Sequence, residues 1–173
     1  MNDHPHSLRD SHPLALSGFG AAGEIRLEAY LHQHIPLVRH MQIHVATCDT
    51  TGLTLTAPLA ANINHQATAF GGSLASLATL AGWGLLWLLL EQETAAHIVV
   101  NESRMQYLHP VTQTLVAHCL LPDETTCRHF IATLERRNKA RIELKAEILQ
   151  NKTVCARFTG SFVAFRGTSD APS

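Results

Sequence analysis

The sequence predicts an α+β domain in which a curved antiparallel sheet wraps around one long apolar helix. Three observations predict it. Residues 57–90 contain no charged side chain, and the stretch ends in the run LAGWGLLWLLL. Segments on either side of it alternate apolar and polar residues with the period of two that half-buried strands require. A helix that is apolar all round must be covered, and antiparallel strands cover it by curling around it.

The elements follow in order. Residues 24–34 (EIRLEAYLHQH) form a short amphipathic helix whose apolar side draws on Ile25, Leu27, Ala29, Tyr30 and Leu31. Pro36 limits its continuation, although a further turn through Val38 and His40 is compatible with the pattern. Residues 41–48 and 53–59 are β-rich, and Asp49-Thr50-Thr51-Gly52 between them has turn composition, so the pair reads as an antiparallel hairpin. Pro58 marks where its second strand leaves the sheet. The polar loop NINHQATAFGG leads into a helix over residues 73–91.

Strands are then expected over 97–108, stopped by His109-Pro110, and over 114–121, stopped by Pro122-Asp123. Residues 124–138 fit a strand or a helix equally, since Phe130, Ile131 and Leu134 suit either. Residues 141–149 alternate cleanly, with Ile142, Leu144, Ala146 and Ile148 facing one way. Asn151-Lys152 turns the chain into a last strand over 153–165. No internal repeat interrupts this order.

A length of 173 residues with 46% apolar content suits one domain with a sizeable core. The expected boundaries are a disordered tail at 1–22, the domain at 23–166 and a second short tail at 167–173. His4, His6 and His12 fall in the first tail, which has little means of ordering itself, and no metal or cofactor is expected. The net charge is -1 without a basic block, which argues against nucleic acid as a partner. Cys48, Cys119, Cys127 and Cys155 form no CxxC pair and read as reduced, buried thiols. With no apolar signal core in the first 22 residues, a cytoplasmic location is expected. The charge-free stretch does not read as a membrane span. Asn62, Asn64, His65, Gln66 and the Gly-Gly pair leave roughly 17 apolar-rich residues, at the low edge of what a bilayer needs. Acids, Glu91 and Glu93, follow where Lys or Arg would be usual.

The stretch NINHQATAFGGSLASLATLAGWGLLWLLL, with SRMQYLHPVT, RNKARIELKAEI and FTGSFVAF behind it, resembles the thioesterase domain of the hotdog superfamily that also occurs fused to an acetyltransferase domain. The resemblance covers residues 24–166. It implies a hotdog fold and hydrolysis of an acyl-CoA or related thioester. Hotdog thioesterases related to the phenylacetate-pathway enzyme differ in two places. They read His-Gly-Gly at the start of the central helix, where this chain has Phe70, and they carry Asp or Glu two turns inside it, where this chain has Thr79. No Asp or Glu stands between Ser73 and Leu90, so the usual water-activating carboxylate is missing from that helix.

The candidate catalytic residues are Asn64, His65, Gly72 and Thr79; the candidate substrate-binding residues are Asn62, Phe70, Gly71 and Ser73. Gly71 and Gly72 open the helix, where its first N–H groups and positive dipole end would stabilise charge developing on a thioester oxygen. A plain helix entry with close packing is the alternative. Asn64 is suited to placing a water or a carbonyl and His65 to general-base work; otherwise both serve the loop's own turns. Asn62 alone suits a structural role. Thr79 either orients the attacking water or is one of several small residues that let the sheet approach, and a hydroxyl is not a base. Ser73 lacks the elbow motif of a nucleophile.

Glu102, Arg104, Tyr107 and His109 lie along the strand that, in hotdog dimers, tends to approach the partner's site. Arg136, Arg137, Lys139 and Arg141 form the one basic cluster, suited to a CoA phosphate or to a solvated turn. The expected function is therefore thioester hydrolysis. A hotdog hydratase or dehydratase using His65, and a non-catalytic acyl-thioester binding module, are the alternatives. A homodimer or dimer of dimers is expected, because one sheet edge and part of the helix stay uncovered. Trp83, Trp87 and the leucines either line an acyl pocket or fill the core.

Overall fold

A computed structural model describes residues 16, 18–90 and 96–167. Ten main elements follow one another: α1 (Ala21–His34), α2 (Pro36–Met41), β1 (His44–Asp49), β2 (Gly52–Ala57), α3 (Gly71–Leu89), β3 (Ala96–Tyr107), β4 (Leu115–Leu120), α4 (Glu124–Arg137), β5 (Lys139–Gln150) and β6 (Thr153–Arg166). The strands form one antiparallel sheet in the order β1-β2-β4-β5-β6-β3. Helix α3 packs on β2, β3, β4, β5 and β6, so the sheet curls around it. This is the hotdog fold that the charge-free helix and the alternating strands predict.

Helix α3 is long and apolar enough to cross a membrane, but it is the core of this domain. Leu77, Ala78, Ala81, Leu85 and Leu86 are wholly buried in it. Gly82 marks the closest approach to the sheet: a Cβ there would lie 2.6 Å from the Phe162 ring of β6. The two tryptophans of α3 are packing residues. Tyr30 of α1 stacks on Trp83 and lies against Trp87, and the Trp83 indole donates to the Ile98 carbonyl over 3.0 Å.

Several local expectations are corrected. The first strand starts at His44 instead of residue 41, because Pro36 opens a separate helix that runs to Met41 and ends on Gln42 in the left-handed region. The second strand ends at Ala57, and Pro58 is followed by a single 3-10 turn at Leu59–Ala61. Residues 124–137 are helical. Cys127, Phe130 and Leu134 recur at helical spacing and are buried, and Asp123 caps the N-terminus by accepting from the Thr126 N–H at 2.9 Å. Packing also begins before residue 23: Leu16 and Phe19 rest on the core, and the Gly20 N–H donates to the Cys48 carbonyl at 2.9 Å. Residues 1–15 and 168–173, with His4, His6 and His12, lie outside the described residues, as do Glu91 and Glu93. All four cysteines are free and buried.

The two edges of the sheet differ. At the β1 edge, α1 supplies acceptors for the strand's outward N–H groups. Glu24 accepts from Cys48 at 2.9 Å and Glu28 from Val45 at 2.7 Å. Burial alone would raise the Glu28 pKa, but the Val45 N–H and the neighbouring His44 and His32 outweigh it and hold it below the usual carboxylate value. That edge is sealed. The other edge, β3, is 12 residues long and mostly exposed, with Ile98 and Met105 turned to the core; Val99 and Val100 are 45% and 44% accessible. Among the described residues, no strand pairs with its outer side, and the Trp83 indole reaches only the Ile98 carbonyl.

Candidate active site

The loop between the 3-10 turn and α3 is held by its two asparagines. Asn62 is buried, and its amide donates to the Met41 carbonyl at 2.9 Å and the Pro58 carbonyl at 2.8 Å, tying the loop to α2. The Phe70 N–H donates to the Asn62 carbonyl at 2.7 Å, and an Ile63–Ala69 bridge closes the loop's neck. Asn64 bonds within the loop through both ends of its amide. Its Oδ1 accepts from the N–H groups of Gln66 and Thr68 at 2.8 and 3.2 Å, and its Nδ2 donates to Thr68 Oγ1 and the Ala69 carbonyl at 2.9 and 3.3 Å. These bonds enclose Ala67, whose φ of 59 is the left-handed conformation that costs a non-glycine residue about 1 kcal/mol or more. Asn64 thus shapes the loop. His65 is exposed on it, with no hydrogen-bond partner among the described residues.

The start of α3 is left open. Phe70 is its N-cap residue and offers no side-chain acceptor, in contrast to Asp123 on α4. The first intrahelical bond of the turn is from the Leu74 N–H to the Phe70 carbonyl, 3.1 Å. The N–H groups of Gly71, Gly72 and Ser73 therefore have no partner within the helix, and the dipole adds partial positive charge there.

Two clefts flank this helix start. One, of about 310 Å³, is lined by Ala69, Gly71, Leu74, Tyr107, His109 and Val111 among others. The second, of about 360 Å³, includes Leu37, His40, Asn62, Phe70, Gly72 and Ser73. Gly71 faces the first and Gly72 the second. The Phe70 ring lies over Gly72, where a Cβ would be only 2.3 Å from its edge. Neither cleft is lined by a carboxylate.

The sequence-predicted residues thus divide. Gly71, Gly72, Ser73, Phe70 and Asn62 gather around the helix start, while His65 lines neither cleft. Thr79 also lies apart: its hydroxyl donates to the Ala75 carbonyl at 2.8 Å, back along its own helix. His40 is not a sequence candidate, since its spacing only continues the first helix. The break at Pro36 and the separate α2 bring it beside Gly72 and Ser73. Of the basic cluster, Arg141 lines a different cleft, with Thr125, Thr126, His129 and Glu143, that includes no α3 residue.

Residues 24–166 match the family model described as putative thioesterase (yiiD_Cterm). The chain belongs to that family. It is similar to a protein of unknown function from Chlorobaculum tepidum TLS, at 33% identity and a TM-score of 0.81, over 86% of this chain and 98% of that one. A putative thioesterase from Shewanella oneidensis shares 32% identity with a TM-score of 0.74, over 82% of this chain and 96% of that one. A thioesterase from Haemophilus influenzae, at 16% identity and a TM-score of 0.65, covers 83% of this chain and 90% of its own, and shows the shared fold alone. As a member of this thioesterase family, the chain falls in the general class of thioester hydrolases.

Proposed function

We propose that the chain hydrolyses acyl-CoA or related acyl thioesters at the start of α3. The observation that carries this reading is the uncapped helix N-terminus, with Gly71, Gly72 and Ser73 lining two clefts. A thioester carbonyl seated there gains hydrogen bonds that strengthen as its oxygen becomes negative during attack by water. Water adds to the carbonyl carbon, the carbon–sulfur bond breaks, and the thiol and the free acid leave. With no acid on α3, an imidazole is the available base. His109 shares a cleft with Gly71 and is the better placed; His65 is the second choice from within the loop.

A homodimer through the bare β3 edge fits this site, since β3 also carries Tyr107 into the first cleft. Two copies pairing there would place Glu102 and Arg104 of the same strand in the interface. A cytoplasmic location agrees with four unpaired cysteines.

The test is a panel of acyl-CoA esters, followed by release of free thiol. Wild-type turnover is expected, with a fall of about 10² to 10⁴ in His109→Ala if that group is the base. A comparable fall in His65→Ala alone would move the base to the loop. Asn64→Ala should lower turnover together with thermal stability, as the loss of a loop clamp would. A protein that hydrolyses no thioester overturns the reading. The absence of a carboxylate from both clefts favours a second reading, binding without turnover. A melting temperature raised by acyl-CoA in an inactive protein would support it.

A further inference from the structure

The α1–β1 seam, away from the start of α3, brings together two imidazoles and a carboxylate. Glu28 and His32 are four residues apart on α1 and so share one helical face. Across from them, three consecutive residues each contact that face. The Ile43 carbonyl lies 2.9 Å from His32 Nε2, His44 Nδ1 lies 3.2 Å from Glu28 Oε1, and the Val45 N–H donates to Glu28 Oε2 at 2.7 Å. One ligand-capable atom from each of Glu28, His32 and His44 lies within 4.8 Å of the other two.

We infer that Glu28, His32 and His44 form a surface site for a divalent transition ion of the zinc type. Two imidazoles and one carboxylate are a donor set that zinc accepts, with water completing the tetrahedron. Bonds of about 2.0–2.1 Å place tetrahedral ligand atoms about 3.4 Å apart. The groups therefore need to close by up to about 1.4 Å, and exposed His44 has the freedom to do so. The supporting contacts are those a metal site uses. A backbone carbonyl on Nε2 fixes the His32 proton there and leaves Nδ1 its lone pair, while a backbone N–H on Oε2 leaves Oε1 of Glu28 directed at His44.

The bound ion takes the place of a proton on His44 Nδ1, which passes to solvent, and His44 ligates as an imidazole carrying its one proton on Nε2. The consequence is mechanical. The ion would clamp α1 onto the edge strand β1, at the sealed side of the sheet. This site is independent of the thioester chemistry, since none of its residues lines either cleft beside α3.

The experiment uses the full chain, cobalt(II) as a visible-absorbing probe and zinc(II) as competitor. His4, His6 and His12 offer other nitrogens, so a variant with all three changed to Gln is run alongside. One equivalent of cobalt should give a visible band that zinc abolishes. His44→Gln and Glu28→Gln should each weaken binding at least about tenfold, while the tail variant keeps it. Zinc should raise the melting temperature of wild type and the tail variant and leave that of His44→Gln unchanged. His44 is exposed, so His44→Gln should fold as wild type; if it does not, Glu28→Gln decides on the same readouts. A band that survives both seam variants, or that disappears with the tail histidines, overturns the proposal, as does the absence of any saturable band.

Discussion

The Tyr107 hydroxyl donates to the Gly71 carbonyl at 3.0 Å, tying the end of β3 to the first residue of α3. A Cβ on Gly71 would lie 3.4 Å from the same ring, so ring and helix start are already in van der Waals contact. The bond is solvent-exposed, so Tyr107→Phe should cost less than about 1 kcal/mol of stability. Its effect on catalysis should be larger, because the Gly71 carbonyl shares a peptide plane with the Gly72 N–H and the bond fixes that plane's direction. The expected outcome is a nearly unchanged melting temperature with reduced turnover. Equal losses in both would assign Tyr107 to the fold alone.

Gly72 and Phe70 form a second coupled pair. A methyl group at Gly72 meets the Phe70 ring at 2.3 Å, but that ring is exposed and can swing away. Gly72→Ala should therefore keep the fold and reshape the second cleft. If substrate lies on that side, KM should rise, and the Gly72→Ala, Phe70→Ala double variant should not lose more than the worse single one. Additive losses would show that the two residues act separately.

The architecture was legible in the sequence where periodicity was strong. The alternation of Ile142, Leu144, Ala146 and Ile148 and the charge-free helix each permit one burial solution. The segment around Phe130 and Leu134 was ambiguous because its apolar residues are few, and only the Asp123 cap, with Cys127 one turn before Phe130, decides for helix. At the site, the glycines could be read because at a helix start they leave its first N–H groups open to close approach. Asn64 could not: the same amide can hold a water or a loop, and only its bonds to Gln66, Thr68 and Ala69 distinguish the two. His40 reaches its cleft through the break at Pro36, which residue spacing does not encode, whereas His109 follows directly from the end of β3, the strand on which the sequence places it.

The thiols give a pH prediction. Burial pushes Cys48 and Cys127 up to about 11 and Cys119 up to about 12. Unfolded, a cysteine titrates near about 8.5. A folded pKa raised above the unfolded one gives stability that is complete below about pH 8.5 and is lost as pH rises through the folded values. The melting temperature should therefore fall from about pH 8.5 upward. At pH 8 these three thiols should react with a disulfide reagent far more slowly in the native protein than in denaturant. Rapid native labelling of Cys119 would contradict the packing of β4.

The last prediction concerns the edge of the sheet. Glu24 and Glu28 satisfy the outward N–H groups of Cys48 and Val45 at β1, whereas the 12-residue β3 has no strand on its outer side and, among the described residues, only the Trp83 indole bonded to its Ile98 carbonyl. A long exposed strand bearing Val99, Val100 and Tyr107 is a template for a second chain. Self-pairing there continues the sheet across a two-fold axis and buries these side chains. Sedimentation at micromolar concentration should give at least twice the 18.9 kDa mass of one chain. The Val99→Lys, Val100→Lys double variant introduces four positive charges per dimer near one axis and should shift the population towards monomer. If dimerisation and catalysis are linked through β3, turnover should fall in parallel with the dimer fraction and recover as protein concentration is raised. A wild-type monomer, or a double variant that stays dimeric, would place the interface elsewhere and leave the β3 edge as bare in solution as it is in the single chain.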